Sequence, residues 1–223
     1  MINYRLTRSG RRTIAIHVRD GQVEVRAPLR TPKQDIDAFV LSKEAWILKN
    51  QTRQLARPRP RDDFFVDYGS LITWRGKTYP IVSHSGNKAG FDGERFYMPP
   101  GLTTVQIKET CIQIYQRLAL TYFTSRVEYY ASKMGVSPSA VKVSNAKTRW
   151  GSCSLKKSLN FSWRLGLADD DVVDYVVVHE LAHLIQMNHS KKFWQVVEGV
   201  LPDYASRKAR LKTLHERLVI ESW

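Results

Sequence analysis

The stretch Val172-Val173-Asp174-Tyr175-Val176-Val177-Val178-His179-Glu180-Leu181-Ala182-His183-Leu184-Ile185 is apolar nearly all the way round a helical wheel. Such a segment needs cover on every side, so it reads as a core helix. It nevertheless carries two histidines and a glutamate. His179 and His183 stand at i and i+4, on one face and one turn apart, so both imidazoles can reach one ion. Glu180 is offset by one position. It projects beside such an ion rather than onto it, where its carboxylate can take a proton from water. Three buried polar groups cost several kcal/mol if left without partners. A metal ion answers that demand, and Zn2+ is the expected cofactor.

A hydrolytic zinc site needs a third protein ligand and one open position. His189 is the nearest candidate. In an unbroken helix it would point about 240° away from His183 and lie about 9 Å further along the axis. The helix must therefore end between them. Asn188 is expected to supply the turn, since Asn enters the left-handed region cheaply. Ser190 then caps a new helix through Phe193, Trp194, Val197 and Val200. Glu198, His215 and Glu216 are the other candidates for the third position.

Upstream stands Arg149-Trp150-Gly151-Ser152-Cys153-Ser154, followed by the alternating Leu159, Phe161, Trp163 and Leu165, read as one strand. Together with the His179–Glu180–His183 motif, Asn188-His189-Ser190, Phe193-Trp194 and Pro202-Asp203-Tyr204, this pattern resembles the YgjP-like metallopeptidases. The resemblance covers most of the chain, more loosely in the first hundred residues. It implies a zincin-like hydrolase with His179, His183 and His189 as zinc ligands and Glu180 as general base and acid. It implies no particular substrate. The ligand spacing also equals that of the metzincins. Gln186 stands where their glycine does, and there is no candidate Met-turn, so the spacing is shared geometry.

Around the motif, Arg149 and Trp150 are the candidate substrate-binding residues. Arg149 suits a carboxylate, a phosphate or an oxyanion. The run before the metal helix could pair with an extended peptide along its edge. Gly151 marks a bulge or close packing under a large ring. Cys153 is read as a small packed residue, because no motif pairs it with a base. Tyr204 and His215 are further oxyanion candidates.

Further out, the first quarter alternates at period two around Asp20-Gly21, a hairpin signal. One helix follows, with Thr31 as N-cap and Pro32 at its start, running to about Leu55. Arg57-Pro58-Arg59-Pro60-Arg61 reads as a stiff basic linker. Short strands are expected at 71–74, 79–82 and 95–98. A long helix spans about 105–134, closed by Gly135. The expected fold is α+β: a zincin-like metalloprotease domain over 102–223, with a smaller β-rich N-terminal lobe over 1–100.

The chain has 223 residues and 43% hydrophobic content, enough for a sizeable core. Two cysteines cannot form a disulfide framework and fit a reducing compartment. No stretch approaches the roughly 18 apolar residues of a membrane span, and no secretory signal is evident, so the expected location is cytoplasmic. Net charge is +14, with 14 Lys+Arg against 6 Asp+Glu in residues 1–62. That balance attracts anions. The main expectation is thus a zinc-dependent peptidase acting on a peptide or other small substrate. The alternatives are a metal-dependent nucleotide phosphohydrolase, and a basic nucleic-acid-associated module with a structural metal.

Overall fold

The computed structural model describes residues 2–55, 64–221 and 223. The chain parts into two compact units, Met1–Arg59 and Pro60–Trp223. The basic run at 57–61 lies outside the described residues.

In the first unit, strands β1 (Arg5–Ser9), β2 (Ala15–Arg19) and β3 (Gln22–Pro28) form a sheet of order β1-β3-β2. Asp20 and Gly21 both take positive φ, 49° and 76°, the twist that a two-residue hairpin between β2 and β3 demands. Helix α1 (Lys33–Ser42) starts one residue after Pro32, which is itself the N-cap, in extended conformation. The single expected helix is two. The Ser42 hydroxyl donates to the Phe39 carbonyl at 2.7 Å, and Lys43 N–H bonds Val40 O, so the ladder slips before α2 (Glu44–Leu55) begins. Ile36, Val40 and Ile47 bury against Val18, Val23, Val25 and Ala27.

The second unit holds the remaining elements. Strands β4 (Leu71–Trp74), β5 (Lys77–Ser83), β6 (Gly90–Phe91) and β7 (Phe96–Met98) form a sheet of order β4-β5-β7-β6. Helix α3 (Thr104–Met134) follows as expected. Thr103 and Gln106 make a reciprocal capping box at its start, and Gly135 closes it at φ 66°. The expected division at residue 101 is not where the compact units part. Phe96 and Met98 of β7 bury in the same core as Ile107, Tyr115 and Phe123 of α3, so β4 to β7 belong with the helices.

Beyond α3, strands β8 (Ala140–Ser144), β9 (Gly151–Cys153) and β10 (Ser158–Ser162) form a sheet of order β8-β10-β9, with β9 at its edge. The expected strand through Leu165 stops at Ser162 and becomes a 3-10 turn, Trp163–Leu167. All five turn residues are buried, so alternation between a wet and a dry face did not apply there. Helix α4 (Asp170–Ala182) is the predicted core helix, and ten of its residues are buried. Asp169, Asp170 and Asp171 stand at its positive N-terminal end, where negative charge is favoured. Arg210 pairs with Asp169 and Asp171, and Arg75 with Asp170. Helices α5 (Lys191–Val200) and α6 (Tyr204–Ile220) complete the unit. Among the described residues no helix is long and apolar enough to cross a membrane. The molecule is of the α+β class.

Candidate metal centre

Helix α4 presents His179 and His183 one turn apart, with ring centroids 5.1 Å from each other. The helix ends at Ala182, and His183 is its C-cap at φ −66°. Tight bonds then turn the chain: Leu184 N–H to Leu181 O, and Ile185 and Gln186 N–H to Ala182 O. The turn does not use a left-handed Asn188. Among the described residues other than glycine, only Asp20, Arg75 and Lys157 have positive φ. Asn188 acts through its side chain instead. Its Oδ1 accepts from Gln186 Nε2 at 2.8 Å and from Ser190 N–H at 3.3 Å. Ser190 is the N-cap of α5 as expected, but its hydroxyl makes no capping bond.

This turn swings His189 back over the helix. His189 Nε2 lies 3.0 Å from His179 Nε2, and the candidate donor nitrogens of His179, His183 and His189 all fall within 4.8 Å of one another. Glu198, His215 and Glu216 are not in this group. Phe193, from the first turn of α5, touches all three rings, with centroids at 4.9, 4.6 and 4.7 Å. Trp194 stacks on His189 at 6.0 Å and then on Tyr204 at 5.4 Å.

The donor set fits a metal ion. Burial, aided by the charges of His183 and His189, pushes the His179 pKa down to about 3, so the ring is neutral and its lone pair free. Burial also lowers the pKa of His183. His183 Nδ1 faces the Gln186 carbonyl at 3.4 Å; donating there leaves Nε2 with a free lone pair. His179 Nδ1 is buried without a hydrogen-bond partner, and its other nitrogen faces only a second histidine. A shared cation satisfies that pair of facing lone pairs.

Glu180, the residue after His179 on α4, is 5% exposed. Burial raises its pKa to about 7, against a smaller lowering by the Arg149 charge. Gly151 of β9 lies directly over it. A Cβ there would come within 2.6 Å of Glu180 Oε1. The close packing expected at Gly151 exists, but its partner is the carboxylate rather than a large ring. Sequence reasoning attached no role to that pairing. The clue available was a glycine in the strand before the motif.

Arg149 is exposed, and its charge reaches Glu180. Trp150 is half-buried, with its ring edge-on to His215 at 6.1 Å. Burial pushes the Cys153 thiol pKa up, which keeps it protonated and unsuited to attack. An ion pair fixes α4 from behind: Arg126 of α3 grips Asp174 at 2.7 and 2.8 Å, and Tyr130 donates to the same carboxylate at 2.9 Å.

The family model for the YgjP-like metallopeptidase domain matches residues 12–214. No curated protein matches the chain significantly. Among solved structures, the chain is similar to the metallopeptidase zymogen abylysin of Pyrococcus abyssi, at 24% identity and a TM-score of 0.39; the match covers 41% of this chain and 92% of that one. It is also similar to the metallopeptidase zymogen jannalysin of Methanocaldococcus jannaschii, at 18% identity and a TM-score of 0.38, covering 41% and 94%. With a family match across most of its length, this chain belongs to the YgjP-like family and is an enzyme of the metallopeptidase class.

Proposed function

We propose that the chain is a zinc metallopeptidase in which His179, His183 and His189 hold the ion and Glu180 moves the proton. The observation that carries this reading is the convergence of three imidazoles, with a buried carboxylate on the residue that follows His179. Family membership supports a peptide as the substrate class. Bound Zn2+ supplies Lewis acidity, polarising the scissile carbonyl and making water more acidic.

The protein's own groups do the rest. A Glu180 carboxylate oxygen takes a proton from the attacking water as its oxygen bonds to the carbonyl carbon. When the C–N bond breaks, Glu180 returns that proton to the departing amine nitrogen. A pKa near 7 lets one carboxyl serve in both directions. Phe193 and Trp194 wall the imidazoles and hold their orientation. Strand β9 stands at the edge of its sheet beside Glu180, where an extended peptide can pair along it.

The test is product analysis on a peptide panel, with a nucleoside triphosphate panel in parallel, each with and without chelator. Chelator-sensitive peptide cleavage that disappears in Glu180→Gln is the expected result. Phosphate release from nucleotides with intact peptides would contradict the reading.

A further inference from the structure

Where the chain enters β9 lies a cavity of about 230 Å³ whose walls include Lys147, Thr148, Arg149, Trp150, Arg164 and His215. Among the described residues, no aspartate or glutamate side chain lines it. Its deepest charge is Arg164, which is only 5% exposed. The Arg164 guanidinium stacks on the Trp163 ring at 4.5 Å. Its Nη1 donates to neutral acceptors only: Asn145 Oδ1 at 2.8 Å, Asn145 O at 3.2 Å and Ala146 O at 3.5 Å. Its Nε is buried with no hydrogen-bond partner.

A guanidinium taken out of water without an anion is costly, and an unmet buried N–H adds to that cost. Burial accordingly lowers the Arg164 pKa. Lys147 and Arg149, both exposed, form no ion pair among the described residues. Among the described residues the cavity is therefore a cationic pocket built around a buried arginine that no aspartate or glutamate pairs with.

Its position says what anion it takes. Trp150 lines the pocket, and the next residue, Gly151, lies against the Glu180 carboxylate. A peptide held beside Glu180 along β9 would therefore run toward the pocket. The volume sits below the roughly 300 Å³ at which drug-sized sites begin, so it suits one terminal residue.

We propose that this pocket binds a carboxylate of the peptide substrate, held by Arg164 at its base and by Lys147 and Arg149 at its rim. The proposal rests on the peptidase reading for its choice of ligand. The carboxylate comes either from a free C-terminus, which makes the enzyme a carboxypeptidase, or from an acidic side chain next to the scissile bond.

Isothermal titration of the full chain in the Glu180→Gln background tests this without turnover. The probes are acetyl-Ala-Ala as free acid, acetyl-Ala-Ala-amide, acetyl-Ala-Glu-amide and inorganic phosphate. At least one carboxylate probe is expected to bind about tenfold or more tighter than the neutral amide, as a charge-assisted contact implies. That preference is expected to vanish in Lys147→Gln/Arg149→Gln and to weaken in Arg164→Lys. Tight binding of the free acid assigns the C-terminus, and tight binding of the glutamyl amide assigns the side chain. Equal binding of acid and amide, binding of none of the peptides, binding of phosphate alone, or a preference untouched by the rim substitutions overturns the proposal. Because the readout is binding, a protein that prefers carboxylates but cleaves no peptide would sink the peptidase reading and leave the pocket standing.

Discussion

Gly151 is chemically silent, yet it decides where the Glu180 carboxylate can sit. The first carbon of any side chain there would lie 2.6 Å from Glu180 Oε1. Gly151→Ala is expected to push the carboxylate aside and lower kcat/KM about a hundredfold, the scale at which a misplacement of about 1 Å acts. Bound metal should stay near wild type, because the atoms nearest that strand position all belong to Glu180. Steady-state kinetics with metal analysis check both halves. Glu180→Gln keeps the shape and removes the proton acceptor. A loss of about 10²–10⁴-fold in kcat with unchanged metal content is the expected outcome. The two histidines on α4 and their glutamate were legible because helical spacing alone puts them on known faces. The mate of Gly151 was not, since contact between β9 and α4 joins residues 29 positions apart.

Helix α4 is held from outside by charge. Asp174, 8% exposed, is clamped by Arg126 and Tyr130 across the α3–α4 packing. Arg126→Met strands a buried carboxylate and is expected to cost about 3 kcal/mol. In a chain of this size that lowers the Tm by about 6–12 °C in a thermal melt. At the N-terminal end of α4, Arg75 and then Tyr122 hold the Asp170 carboxyl below the usual carboxylate range. A depressed folded-state pKa gives stability above the unfolded value near 4 that is lost as the pH falls below it. Melts from pH 6 down to pH 2.5 should fall less steeply in Arg75→Gln than in wild type; parallel curves would contradict the pairing. Elements were legible where one periodicity applied throughout, as in α3, α4 and the Asp20-Gly21 hairpin. They were misread where it did not. The Trp163–Leu167 turn is buried on all sides, and its alternation continued past the end of β10. The turn before His189 was placed correctly but assigned to the wrong device, because Asn188 bends the chain through a side-chain acceptor rather than its own φ.

At the scale of the whole molecule, the division of the chain was the least legible feature. A composition change after Gly101 suggested a boundary there, yet the strands before it share a core with the helices after it. Sheet partners and core membership are long-range facts, and period-two strands look alike in either unit. The metal connects local geometry to global stability. Helix α4, the following turn and α5 each contribute to the three-histidine cluster or pack against it, so a bound ion braces the second unit. Removing an ion held at about 100 times its Kd should cost about 2.7 kcal/mol. That corresponds to a Tm lower by about 5–10 °C after chelation. Calorimetry with and without chelator, followed by zinc add-back, measures it.

Metal stoichiometry by mass spectrometry on untagged protein, wild type beside His189→Ala, tests the three-histidine centre itself. About one zinc per chain is expected in the wild type, with most of it lost in the variant. Full zinc retention in His189→Ala would contradict the three-histidine centre, and a wild type that takes up no metal even when zinc is supplied would contradict the metallopeptidase mechanism as a whole.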